Sequence, residues 1–249
     1  MKSNYFNSPV ITPTLTGAAM HAAFTEGDVV FDWTSFEIPR GVARLIGATM
    51  IMRPKGDAAV SSKPTHQPSG IDLVFVKDTA VSATPTTLGA LNGPAILTPR
   101  HDLIGTLPFA DGDIVGGSTV VATSTAESPF VFEPETATGG NVGVDKYWVA
   151  GVAAGALDWT TIIRINDNDI DSSSPGTSLV TDGTNMDVRE HFIAGDVLVA
   201  HDDAAIGTVA SLTNATTTVL TEAISTSVLE DDDFVYCKNP IKLTLHFSK

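Results

Sequence analysis

Ile241-Lys242-Leu243-Thr244-Leu245-His246-Phe247 sets an apolar side chain at every second position with a polar one between. Successive side chains of a β-strand point to opposite faces, so this stretch reads as a strand with one face on a core and the other towards solvent. The same period recurs upstream. Val29 to Ile38 alternates bulky and polar residues until Pro39 and Gly41 interrupt it, and Ala43 to Met52, Ile71 to Val76, Lys146 to Val152 and Trp159 to Asn166 read the same way. Thirty-one threonines among 249 residues, with abundant Val and Ala, favour strands over helices, because β-branched side chains are stiff at χ1 and pack well on a pleated surface. The expected fold class is all-β, an antiparallel sandwich of jelly-roll-like form.

The strand at 241–247 also bears on domain organisation. Between residues 191 and 238, short strands alternate with Asp- or Asn-containing turns: Asp196 to Ala200, Ile206 to Ser211, Thr217 to Thr221 and Phe234 to Cys237. Even spacing of this kind is the signature of a small barrel. Asn239-Pro240 then breaks the chain ahead of Ile241, whose strand is long enough to return to the first domain. The expected arrangement is a sandwich over 25–190 completed by 239–249, with a β-barrel at 191–238 inserted through two adjacent strands. Residues 1–24, with Pro9, Pro13 and the small run Gly17-Ala18-Ala19, read as an extended N-terminal arm. In an assembling protein such an arm lies across a neighbour, and its apolar residues Tyr5, Phe6, Val10, Ile11 and Leu15 are the candidate partner contacts. Between Pro94 and Pro134, repeated prolines predict long loops.

Charge narrows the function classes. The net charge of −15 is unevenly spread: residues 1–100 hold eight basic and seven acidic residues, and residues 101–249 hold six and twenty-two. A chain this short of clustered Lys and Arg is a poor match to phosphates, so neither nucleic acid nor an anionic membrane is an expected partner. The N-terminus lacks the apolar core of an export signal, and no stretch approaches the length of a membrane-spanning helix, so a soluble protein is expected.

The chemistry-bearing motifs are sparse. Asn166-Asp167-Asn168-Asp169-Ile170-Asp171 resembles the first half of a calcium loop, with Asp167, Asp169 and Asp171 as candidate ligands. Its second half departs from the pattern. Ser172 stands where the sharp turn needs glycine, and Ser178 where a bidentate glutamate would close the cage. A solvated acidic turn is therefore the preferred reading, as it is for Glu230-Asp231-Asp232-Asp233. The six histidines lack the spacing of a zinc site, and Cys237 has no second cysteine to pair with. The sequence contains no Gly-x-Ser-x-Gly elbow, phosphate-cradling loop or His-Glu-x-x-His helix. No enzyme activity and no cofactor are expected. Asn214-Ala215-Thr216 matches the glycosylation acceptor pattern within a Thr-rich turn.

The stretch Gly195 to Val199, Ile206 to Ser211, Val219 to Thr221, then Asp232 to Tyr236 followed by Asn239-Pro240-Ile241, resembles a pattern in virion structural proteins of tailed phages, marine and cyanobacterial ones in particular. It covers about a quarter of the chain. The resemblance implies a particle component such as a capsid decoration (cement) protein, made in the host cytoplasm and carried on the virion surface. The partners it implies are the major capsid protein or other virion proteins, with a homo-oligomer, such as a trimer, by analogy. A receptor- or carbohydrate-binding module of a tail fibre is the alternative, with Trp33, Trp148 and Trp159 as sugar platforms; their period-2 strands favour core positions instead.

Overall fold

A computed structural model of the chain describes residues 5–53, 67, 69–77, 85–99, 101–109, 114–115, 120–126, 131–133, 144–159, 163–165, 176–181, 187–224, 229 and 233–249. The first sheet is built around the C-terminal strand. β15 (Ile241–Ser248) lies between β1 (Tyr5–Asn7) and β3 (Ala43–Met52), and β3 continues to β7 (Val120–Thr125) and β6 (Ile114–Val115), with β8 (Val131–Phe132) also paired to β3. All these pairings are antiparallel, and the register sets Leu243 opposite Met50 and Leu245 opposite Ala48. Ile241, Leu243, Leu245 and Phe247 are buried, as the alternation requires.

The second sheet runs β2 (Val29–Pro39), β9 (Val144–Ala153), β4 (Ile71–Lys77) and β5 (Asp102–Leu107), again antiparallel. Aromatic side chains join the two sheets. Phe132 and Phe247 from the first meet Tyr147 and Phe36 from the second, with ring centroids 4.8 Å apart for Phe132–Tyr147 and 6.5 Å for Phe36–Phe247. The first pair is edge-to-face and the second stacked, and aromatic pairs in such arrangements add about 0.5–1.5 kcal/mol each beyond the area they bury. The fold is thus an all-β antiparallel sandwich.

The third sheet, β10 (Ser178–Val180), β13 (Thr217–Leu220), β12 (Ala205–Leu212), β11 (Val197–Ala200) and β14 (Val235–Cys237), accounts for the expected insertion and changes its outline. It recruits β10 from before residue 191. Both of its outer strands meet the segment 163–165, through bridges from Ile165 to Thr181 and from Arg164 to Phe234 and through Val235 N–H to the Ile163 carbonyl, so this short segment lies between β10 and β14. The chain leaves the sandwich after β9 and returns in β15, strands of facing sheets and not neighbours in one. Sandwich and third sheet share one hydrophobic cluster that includes Phe24, Trp159, Phe192, Leu198 and Tyr236.

Charge follows the third sheet more closely than it follows the halves of the sequence. Residues 176–237 hold eleven acidic residues and one basic, a net −10 of the total −15. The near-neutral first hundred residues form no separate face, because β15 and β9 interleave with β2, β3 and β4.

Residues 5–24 are extended, but they are packed on their own chain and do not form a free arm. Ile11 bridges to Leu243, Leu15 N–H donates to the Lys238 carbonyl, and Phe6 stacks on Phe247 at 5.2 Å. Ile11, Pro13 and Leu15 point inwards while Thr12 and Thr14 point outwards, a strand-like alternation in a segment whose prolines read as breakers. The segment ends in a single helical turn, α1 (Gly17–Met20), capped by Thr16 and packed on β11 and β14. A Cβ on Gly17 would collide with the Ala200 carbonyl oxygen, so only glycine lets this turn approach β11 so closely.

Candidate functional site

Packing of the N-terminal segment divides the five candidate partner residues. Ile11 and Leu15 are buried in the chain's own core and Phe6 is half-buried against Phe247, so these three stabilise the fold. Tyr5 and Val10 remain 69% and 61% exposed. Further exposed aliphatics lie at the open edge of the second sheet: Leu103 on β5, and Ile96 and Leu97 just before it.

The tryptophans separate in the same way. Trp159 is buried, with Phe24 edge-on at 5.5 Å, and belongs to the core. Trp33 and Trp148, brought together by β2 and β9, line an open groove of about 570 Å³. Trp33 is half-buried, and its indole N–H donates to the Thr86 carbonyl at 2.7 Å. Trp148 is 7% exposed, with the Lys146 ammonium 4.6 Å above its ring. Thr12 and Thr14 from the N-terminal segment face the groove across Asp32 and Ser35 of β2.

His101 helps hold this side in place. Its Nδ1 accepts from the Thr98 N–H at 3.0 Å, which makes Nε2 the protonated nitrogen that donates to the Thr86 carbonyl at 2.7 Å. Trp33 and His101 therefore share one acceptor, and the segment 85–101 is tied over the outer face of the sheet, where Leu88 packs on Val29 and Ala150.

A buried ionic cluster joins the sandwich to the third sheet. Arg53, just past β3, makes a two-pronged contact with Asp196, 2.7 Å to each carboxylate oxygen, and donates from Nη1 to the His191 carbonyl at 2.9 Å. Asp196 also accepts from the Ile193 N–H at 2.8 Å. His191 closes α2 (Val188–His191), and burial, reinforced by the Arg53 charge, lowers its imidazole to about 4. Burial likewise raises the Cys237 thiol to about 11, with the Asp196 carboxylate adding to the effect. Arg53, Trp159, His191 and Cys237 also line an interior cavity of about 20 Å³, room for roughly one water. The cluster's pairings are structural, since each charged group faces a fixed protein partner.

Asp167, Asp169 and Asp171 lie outside the described residues. Ser178, at the position of the closing calcium ligand, is paired with Val219 in a strand. No group of three or more metal-ligating side chains occurs among the described residues. Asn214 accepts through Oδ1 from the Thr216 N–H at 2.8 Å, forming a local Asx turn. Among the described residues, no helix is long and apolar enough to cross a membrane.

Sequence reasoning found Trp33 and Trp148 but not their polar surroundings. Thr12 and Thr14 stood in a segment read as an arm, and Asp32 as one more exposed alternation position. Arg53 and Asp196 are 143 residues apart, with no local pattern to connect them.

No family model matches the chain, and no curated protein does. Two solved structures are weakly similar. The adhesin domain of Epf from Streptococcus pyogenes is 10% identical, covering 82% of this chain and 71% of its own, with a TM-score of 0.15. The infectious bursal disease virus VP2 subviral particle is 7% identical, covering 99% of this chain and 41% of its own, also with a TM-score of 0.15. At those scores neither carries an argument about this chain.

Proposed function

We propose that the chain is a non-enzymatic structural component of a tailed-phage particle that decorates or cements the capsid through contacts with the major capsid protein or other virion proteins. The observation that carries this reading is the segregation of charge: ten of the fifteen net negative charges fall within residues 176–237, leaving the rest of the molecule far less acidic. A surface protein crowded in many copies needs a hydrated, mutually repelling outer end and a docking end free of that repulsion. The third sheet supplies the first. The sandwich supplies the second, with Tyr5 and Val10 held outwards on a segment pinned by β15. Pinning lowers the entropy lost when they dock. Self-association into a homo-oligomer fits the same surface.

Deleting residues 1–24 is a poor test, because it also removes Ile11, Leu15 and Phe24 from the core. The informative variant is Tyr5→Ser with Val10→Ser, which touches only exposed side chains. Reduced binding of the folded double variant to undecorated shells supports the proposal, whereas undiminished binding rules out this docking end.

A further inference from the structure

We infer that the groove between β2 and the N-terminal segment is a binding site for a neutral glycan. The argument rests on the groove's chemistry and is independent of where the chain sits in a particle. Oligosaccharides present C–H faces that pack on aromatic rings and hydroxyls that need hydrogen-bond partners in the same plane. The groove offers both. Trp33, half-buried, supplies ring surface, with the buried Trp148 backing the groove beside it, and the exposed residues Thr12, Thr14 and Ser35 line it with hydroxyl-bearing side chains.

Both rings are already fixed in the free protein. Trp33 is held by the Thr86 carbonyl and by His101, whose ring lies 5.4 Å away, and Trp148 by Lys146. Little side-chain entropy is then lost on binding. The volume, about 570 Å³, falls within the roughly 300–1,000 Å³ usual for small-molecule sites.

Asp32 sets the charge preference. Its Oδ1 accepts from the Leu88 N–H at 2.9 Å, and Oδ2 meets no donor among the described residues. A carboxylate is acceptor-only, so Oδ2 suits a sugar hydroxyl and repels an anionic group. Lys146 is placed over Trp148 and opposite Glu37 in the ladder, which leaves it poorly placed to recruit an acid.

The test uses the full chain and neutral hexasaccharides of glucose, galactose and N-acetylglucosamine as probes, with a hyaluronate hexasaccharide as the anionic control. Tryptophan fluorescence and calorimetry are read together. Expected is saturable binding of at least one neutral hexasaccharide and none of hyaluronate. Asp32→Asn, which keeps the acceptor for Leu88, should weaken binding by about tenfold or more, and Trp33→Ala should abolish it. Because Trp33→Ala removes a packed ring, Thr14→Arg serves as an exposed variant that fills the groove and should also abolish binding. Three results would overturn the inference: no saturable response to any neutral probe at millimolar concentration, equal affinity for hyaluronate, or affinity unchanged in both Asp32→Asn and Thr14→Arg.

Discussion

Removing one partner of the Arg53–Asp196 pair should loosen the whole molecule, because the pair ties the end of β3 to the turn that begins β11. The two side chains are 17% and 9% exposed, so the contact is largely withdrawn from water. In Asp196→Ala the guanidinium keeps the His191 carbonyl but loses both carboxylate contacts, and the Ile193 N–H loses its acceptor. A buried charge left without its partner costs about 3–5 kcal/mol. With a urea slope of about 3 kcal/mol/M, the unfolding midpoint should fall by roughly 1–1.7 M. Arg53→Met with Asp196→Leu removes both charges and keeps much of the volume, so it should recover most of the loss. Urea titration followed by circular dichroism and by tryptophan fluorescence is the assay. A loss below about 1 kcal/mol for Asp196→Ala, or a double variant as unstable as the sum of the singles, would refute the idea that this pair couples the two parts.

His191 supplies a pH dependence with a definite sign. Its folded value, about 4, lies below the ordinary 6.5, so the fold prefers the neutral ring. That contribution is fully present above about pH 6.5 and is lost as pH falls towards 4, amounting to roughly 3 kcal/mol. His191→Phe should flatten the stability profile across that window relative to the native chain. Cys237, buried and held near 11, should react with a thiol reagent only at the rate of unfolding, which a stopped assay with and without urea will read. Gly17→Ala should cost about 1–3 kcal/mol by forcing α1 off the Ala200 carbonyl, measurable as a lower thermal midpoint.

Strands that hide one face were legible as such. Ile241–Phe247, Val29–Ile38 and Ala43–Met52 fall within β15, β2 and β3 because burial on one side enforces period 2. β7 went unread, since Val-Val-Ala-Thr-Ser-Thr (120–125) runs from three apolar residues into three hydroxyl residues and shows no period-2 contrast. The N-terminal segment was misread for a different reason. Its prolines cannot donate to a ladder, yet the segment is held by the N–H groups of other residues: Ser8 to the Leu245 carbonyl, Ile11 to Leu243 and Leu15 to Lys238. Even turn spacing specified the hairpins of the inserted unit but not the segment 163–165 that meets both of its outermost strands, because that contact joins residues distant in sequence. For the groove, the aromatic half was visible in β2 and β9. Its polar half depends on a tertiary approach of Thr12 and Thr14 to Asp32 that no local pattern encodes.

Electron cryomicroscopy of virus particles purified from the source of this chain tests the central proposal most directly. The predicted result is density for the sandwich on the outer capsid surface, with Tyr5 and Val10 against a neighbouring virion protein and the acidic sheet of residues 176–237 facing solvent. Particles complete and infectious without the chain on the capsid, or a chain bound through that acidic sheet, would contradict it.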